Sequence, residues 1–351
     1  MMHFVKTMAP GWFASVMGTS VASLAAQLLF AGTAAVWSAL SAVYGHASTC
    51  PVLMLLVLGL AAVLRILIYP RAVFETISHP VEGSFYATFP IALLVMAGQW
   101  SMRGIDPNWV ALLWWTGAIG TFAASYLILF RLFTLDRLKL QMVTPAHFIP
   151  AVGLVVIPVA GAGLAAQAQG LMREVYFGVN MLGMGAGFFM YIALVAITMA
   201  RHFLMPAIEG KMTPTLWVHL APLGVIPLSL LSLLHAAGNE AAMSYGLLVA
   251  MGFMGASLWW LLLTLAMTVR NALQGKLPFA LSWWAFVFPI GAMTVLSIRL
   301  SSLANLELLG MIAYGLMALL LTVWFAAAVG TLLGLFRGGV IPPKAATAQS
   351  H

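Results

Sequence analysis

The chain contains ten long apolar stretches, and an arginine closes every second one. A helix needs about 20 apolar residues to cross the hydrocarbon core of a membrane. The stretches lie near residues 12–32, 51–69, 84–102, 109–131, 146–166, 174–200, 214–236, 242–269, 282–300 and 305–336. The even-numbered stretches end at Arg65, Arg131, Arg201, Arg270 and Arg337. This pattern predicts an all-α integral membrane protein of five helical hairpins, with both chain ends on the same side.

Composition excludes a soluble protein and predicts a single domain. Of the 351 residues, 63% are hydrophobic and only 7% are charged, whereas about a quarter of a soluble domain is charged. The stretches are too long and too uniformly apolar for the strands of a membrane barrel. We therefore expect one transmembrane domain over residues 1–337, followed by a short disordered cytoplasmic tail at 338–351.

The charged residues predict how the chain is oriented. The net charge is +7, but nucleic-acid binding is excluded because the charges lie at helix ends and not on one face. Twelve of the 15 lysines and arginines fall on the side of the N-terminus, and Arg103, Arg173 and Arg299 fall on the other. The twelve are Lys6, Arg65, Arg71, Arg131, Arg137, Lys139, Arg201, Lys211, Arg270, Lys276, Arg337 and Lys344. An excess of Lys and Arg marks the cytoplasmic side, so both termini are expected in the cytoplasm, in a bacterial inner membrane.

Five windows in the odd-numbered stretches align without gaps. They read GWFASVMG at 11–18, SFYATFPI at 84–91, TPAHFIPA at 144–151, LWVHLAPL at 216–223 and WWAFVFPI at 283–290. Their seventh place holds Met17, Pro90, Pro150, Pro222 and Pro289. A proline inside a helix removes a backbone hydrogen bond, which hydrocarbon tolerates only where protein or water replaces it. The repeat therefore predicts kinked odd helices on the inside and straight even helices outside, around a quasi-fivefold central pore.

The only cysteine, Cys50, excludes an internal disulfide and a cysteine-based zinc cluster. Its neighbour Pro51 predicts a loop at this point, before the second helix.

Two further motifs carry a family resemblance. The stretch SHPVEGSF at 78–85 precedes the third helix, and WWAFVFP at 283–289 lies in the ninth. Together with the repeated windows, they resemble the tellurite-resistance/dicarboxylate transporter family over nearly the whole chain. That family includes bacterial tellurite-resistance proteins, plant slow anion channels, yeast malate permease and fungal sulfite exporters. The resemblance implies ten helices with a central pore, a homotrimer, and a pore-plugging phenylalanine that matches Phe288.

The sixth place of each window, directly before the proline or Met17, predicts which residues line the pore. If this place faces the axis in every repeat, the pore constriction is made of Val16, Phe89, Ile149, Ala221 and Phe288. All five are uncharged and apolar, and a hydrophobic constriction gates by excluding water. A phenylalanine ring edge is partly positive and can face an anion. The alternative is that the two phenylalanines simply pack between helices.

Arg299 follows Pro289 by ten residues, or about 15 Å along a helix. It is therefore expected at the external mouth of the pore, where a cation would steer anions inward. The alternatives are that it anchors the helix at the membrane interface or pairs with Glu307.

His147 and His219 occupy the fourth place of their windows. They invite interpretation as haem ligands, a metal pair or a proton relay, because ionisable groups inside membranes are often functional. The fourth place, however, lies about 200° from the sixth on a helix. We therefore expect both histidines to face outward, hydrogen-bonded to carbonyls that the prolines free. The sequence predicts no metal site and no cofactor.

No acidic residue lies deep in any stretch. Cation channels use acidic rings and proton-driven pumps often use buried carboxylates. Nor is there a nucleophile elbow or a phosphate-binding loop that would indicate an enzyme. The sequence therefore predicts a non-enzymatic anion channel or transporter that passes small inorganic or organic anions. The alternative is a proton-coupled transporter of dicarboxylates, sulfite or tellurite.

Overall fold

The structure, a computed structural model, describes residues 2–30, 34–135 and 139–336. Arg137, Arg337, Lys344 and the tail at 338–351 lie outside these residues. Within them, ten helices are long and apolar enough to cross a membrane, which confirms the all-α membrane prediction. These are α1 (Phe13–Phe30), α2 (Ala34–Ile68), α3 (Thr88–Met102), α4 (Pro107–Phe133), α5 (Phe148–Gln167), α6 (Gly170–Leu204), α7 (Leu220–Ala237), α8 (Glu240–Leu273), α9 (Trp284–Ala304) and α10 (Glu307–Phe336).

The second helix is longer than predicted. It begins at Ala34 and continues through Pro51, so the predicted loop beside Cys50 is wrong and one even helix contains an internal proline. A proline within a long helix removes one backbone hydrogen bond, and the rest of the helix keeps its own. A short helix, Pro70–Ser78, follows α2.

The odd helices form the interior and the even helices the exterior. Between 67% and 89% of each odd span is buried, against 22–33% of each even span. Along the odd set, α1 contacts α3, α3 contacts α5, α5 contacts α7, α7 contacts α9, and α9 returns to α1. Each even helix packs on the odd helix that precedes it. The odd helices therefore surround a common axis, with the even helices between them and the lipid.

Every odd helix is preceded by a tighter 3₁₀ segment. Pro90, Pro150 and Pro222 are each the third residue of their α-helices, and Pro289 is the sixth residue of α9. The N–H groups of a first turn have no partner within the helix, so a proline costs little there. Three of the four window prolines thus lie where the 3₁₀ turn becomes an α-helix and not in the middle of a helix. The segments are Pro10–Trp12, Glu82–Ala87, Pro145–His147, Gly210–His219 and Leu281–Trp283.

Tryptophan–threonine hydrogen bonds join the inner helices to the outer ones. Trp217 Nε1 donates to Thr268 Oγ1 of α8 at 2.9 Å, and Trp284 Nε1 donates to Thr331 Oγ1 of α10 at 3.0 Å. A buried indole N–H needs an acceptor, and a threonine hydroxyl on the facing helix provides one. These bonds constrain how α8 and α10 are rotated against the inner helices that they pack on.

Close approach of α5 and α6 depends on two glycines. A Cβ placed on Gly187 would lie 2.6 Å from Val155 Cγ1, and one on Gly183 would lie 2.8 Å from the Leu154 carbonyl oxygen. The GxxxG spacing puts both glycines on the face of α6 that meets α5. The motif is therefore a packing device.

Candidate functional site

A small cavity lies on the axis of the odd helices. Its volume is about 30 Å³, which is room for about one water, since a water's share of liquid volume is about 30 Å³. Thr88 is the only residue in its lining with a polar side chain. The lining comes from all five odd spans: Ala14, Met17, Phe85, Thr88, Ile91, Ile149, Val152, Val218, Ala221, Ala285, Phe288 and Pro289. We call this cavity the constriction.

The constriction residues recur at a spacing of three along the chain. Residues three apart lie on the same face of a 3₁₀ segment and close to the same face of an α-helix. One pair comes from each odd span: Ala14 and Met17, Phe85 and Thr88, Ile149 and Val152, Val218 and Ala221, and Ala285 and Phe288.

Three of the five residues predicted for the constriction line it, namely Ile149, Ala221 and Phe288. The structure does not bring Val16 or Phe89 to it. Met17, one residue later, and Thr88, one residue earlier, lie there instead. A gapless alignment assumes the same rotation per residue in every repeat. A 3₁₀ segment turns about 120° per residue against about 100° for an α-helix. The α-helix begins at the third place of the first window, at the second place of the last and at the fifth place of the other three.

Phe89 lies on the outside of the odd helices. Its ring is 38% exposed and meets the ring of Phe13 edge-on at 4.8 Å. Both line an apolar groove of about 260 Å³ between α1, α2 and α3, together with Arg65 and Tyr86. Phe288, in contrast, is 4% exposed and belongs to the constriction.

A wider cavity of about 220 Å³ lies at the end where the odd helices begin. We call it the N-end vestibule. It shares Ala14, Phe85 and Ala285 with the constriction, so the two spaces adjoin. Its charged lining residues are Glu82 and Lys211.

A cavity of about 190 Å³, the C-end vestibule, lies where the odd helices end. All five odd helices contribute to its lining, which includes Ser101, Ser232, His235 and Arg299. No carboxylate is among its lining residues, all of which are described. His235 lies near the end of α7 and outside the repeated windows, and its sequence position alone indicates an interfacial residue.

Arg299 lies in the C-end vestibule, where a cation could meet an entering anion. Its Nη2 is 4.0 Å from the sulfur of Met102. In the described part of the chain the ion pair within 4 Å is Lys276–Glu209, so no contact of that kind joins Arg299 to Glu307. The guanidinium is therefore available to a ligand in the vestibule.

The two window histidines lie away from the constriction. Thr144 N–H donates to His147 Nδ1 at 3.1 Å, which closes the first turn before α5. His147 Nδ1 also lies 2.9 Å from the Thr144 carbonyl oxygen. That carbonyl already accepts the His147 N–H at 3.0 Å, so it is not one that a proline frees. His219 is 5% exposed, with its ring 4.4 Å from that of Trp260 on α8 and 5.7 Å from that of Tyr191 on α6. It therefore faces outward, between inner and outer helices.

Nothing in the described residues gathers three or more His, Cys, Asp or Glu side chains that could hold a metal ion.

Comparison with known proteins assigns the family. A sequence model described as "voltage-dependent anion channel" (SLAC1) matches residues 7–332. The chain belongs to the voltage-dependent anion channel family. The resemblance seen in the motifs is thereby confirmed.

Relatives of this family member are transporters by name. An uncharacterized transporter of Methanocaldococcus jannaschii is 30% identical over 97% of this chain and 96% of its own. The sulfite efflux pump of Arthroderma otae is 25% identical over 84% of this chain and 82% of its own. The malic acid transport protein of Schizosaccharomyces pombe is 22% identical over 66% of this chain and 57% of its own. With ten apolar spans, this family member is a membrane anion channel or transporter.

Proposed function

We propose that the protein carries small monovalent anions passively along the axis of its odd helices, and that Phe288 closes the path. The observation that carries this proposal is a constriction of about 30 Å³ between two vestibules of about 220 and 190 Å³. A hydrated ion does not fit so small an apolar space, and such a space gates by losing its water. Among the α9 residues that line the constriction, Phe288 has the largest side chain, and it lies next to Pro289.

The lining favours anions over cations. No carboxylate lines the constriction, so a cation would leave its hydration shell without compensation. The edge of the Phe288 ring is partly positive and can approach an anion. Arg299 raises the local anion concentration in the C-end vestibule. Weakly hydrated monovalent ions lose the least hydration free energy on entering an apolar passage, because the free-energy cost of removing an ion from water rises steeply with its charge.

A proton-coupled transporter of dicarboxylates or sulfite is the second candidate. The names of the sulfite efflux pump and the malic acid transport protein favour it. Titratable groups line the two vestibules, among them His235 and Glu82, but the constriction between them holds none that could couple a proton to passage through it. We therefore place passive flow first.

Flux into liposomes separates the two candidates. Purified protein would be reconstituted and offered nitrate, chloride, sulfite and malate, each with and without an imposed proton gradient. Passive flow predicts that flux follows the anion gradient alone and is fastest for nitrate and chloride. Flux that tracks the proton gradient would overturn passive flow in favour of coupled transport. No flux of any of the four anions would overturn the proposal as a whole.

We also propose the setting in which the protein works. The excess of Lys and Arg at the end where the odd helices begin favours a cytoplasmic N-end vestibule. Both termini would then be cytoplasmic, in a bacterial-type inner membrane. The family resemblance supports a homotrimer, which native mass measurement in detergent would test: a mass of one or two chains would contradict it.

A further inference from the structure

We propose that Glu82 makes the N-end vestibule discriminate between anions by charge, admitting monovalent anions and holding back divalent ones. This inference rests on the proposed anion path and specifies its substrate class.

The backbone around Glu82 is held closely in place. His79 Nδ1 accepts the N–H groups of Val81 at 3.3 Å and of Glu82 at 3.1 Å. A Cβ on Gly83 would lie 2.5 Å from the carbonyl oxygen of Ile77, so only glycine allows the chain to pass this near the short helix Pro70–Ser78. The motif SHPVEGSF thus fixes the start of the 3₁₀ segment that carries Glu82.

That segment points Glu82 along the same face as a constriction residue. Phe85 follows Glu82 by three residues, which is one turn of a 3₁₀ helix. Glu82 and Phe85 both line the N-end vestibule, and Phe85 also lines the constriction. An anion that crosses this vestibule must therefore pass the carboxylate immediately before the narrowest part of the path.

The carboxylate is not neutralised by contact. Lys211 lines the same vestibule, yet within the described chain no ion pair within 4 Å joins the two groups. Both side chains are exposed and act on a passing ion as separate charges. The C-end vestibule differs, because Arg299 lies there without a carboxylate in the lining. The two mouths therefore differ in charge: a carboxylate and an ammonium group line the N-end vestibule, whereas the C-end vestibule has an arginine and no carboxylate.

Coulomb repulsion scales with the charge of the ion, which is what makes this arrangement selective. At a separation of about 6 Å in a water-like dielectric, one negative charge reduces the local concentration of a monovalent anion about threefold and of a divalent anion about tenfold. Removing the carboxylate should therefore raise the permeability of a divalent anion relative to a monovalent one about threefold.

The test compares relative permeability to sulfate and nitrate in a bilayer, taken from reversal potentials. Phe288→Ala serves as the background, so that the constriction does not mask the vestibule. We expect Glu82→Gln to raise the sulfate-to-nitrate ratio about threefold and Lys211→Gln to lower it. Glu75→Gln is the matched control, since it removes the same charge from an exposed carboxylate on the helix Pro70–Ser78, outside the vestibule lining.

Ionic strength supplies a second measurement without any change at Glu82. The Debye length falls from about 10 Å at 0.1 M salt to about 3 Å at 1 M. The ratio should therefore rise with salt in Lys211→Gln, where Glu82 acts alone, and fall with salt in Glu82→Gln, where Lys211 acts alone. A ratio unchanged by Glu82→Gln, or changed equally by Glu75→Gln, would overturn the inference while leaving anion conduction intact. Absence of any nitrate current, even with Phe288→Ala, would overturn the proposed path and this inference with it.

Discussion

Truncation of Phe288 is the sharpest test of the gate. The constriction now measures about 30 Å³, room for about one water. Replacing a large buried side chain by alanine removes on the order of 100 Å³ of side chain, and a water's share of liquid volume is about 30 Å³, so Phe288→Ala should admit about three more waters. A passage of that size stays wet, and the barrier to an ion falls.

We expect the anion conductance of Phe288→Ala to rise at least tenfold, which corresponds to about 1.4 kcal/mol taken off the barrier. The assay is single-channel or macroscopic nitrate current in a planar bilayer, normalised to the amount of folded protein. The substitution should also lower stability by about 3–5 kcal/mol, because it removes a ring from a packed interior.

Phe286→Ala is the matched control for that loss of packing. Phe286 lies two residues earlier in α9 and is also 4% exposed, with its ring 5.1 Å from that of Trp217 and 5.7 Å from that of Trp283. It does not line the constriction. It should lose similar stability without a rise in current. Folded Phe288→Ala protein that conducts no better than the native chain would refute the reasoning, as would an equal rise in both variants.

Three further predictions concern packing, charge and orientation. Gly187→Ala should lower unfolding stability in detergent by about 1–3 kcal/mol because its methyl group meets α5, whereas Gly185→Ala, which faces open space, should not; equal effects would count against the close α5–α6 contact. Arg299→Ala should reduce anion uptake about threefold at 0.01 M salt and little at 1 M, while Arg173→Ala, exposed and outside the vestibule lining, should change neither. A reporter active only in the periplasm should stay silent at the C-terminus, and a strong signal there would reverse the proposed orientation.

Much of the architecture could be read from the sequence because lipid imposes simple rules. A backbone that crosses hydrocarbon must satisfy its own hydrogen bonds, so length and apolarity alone predict helices. The recurrence of prolines in every odd stretch except the first also separated inner helices from outer ones. A proline is a weaker indicator of helix position among the outer helices, because the outer helix α2 continues through Pro51.

The candidate site could be predicted only in part. Ile149, Ala221 and Phe288 lie on the constriction, whereas Val16 and Phe89 do not. Which residue faces the axis depends on how each helix is rotated in the packed bundle, and no motif in the windows specifies that rotation. The sequence does not identify Glu82 as a pore residue, because its position before the third helix indicates only a loop.

The sequence by itself determined the number of helices, their alternation between inside and outside, and the absence of charge at mid-membrane, since each follows from the cost of placing polar groups in lipid. Only the tertiary structure decided which side chain of each odd helix reaches the axis and which charges lie at the two mouths. Those choices depend on helix rotation, and a shift of one residue turns a side chain by about 100°.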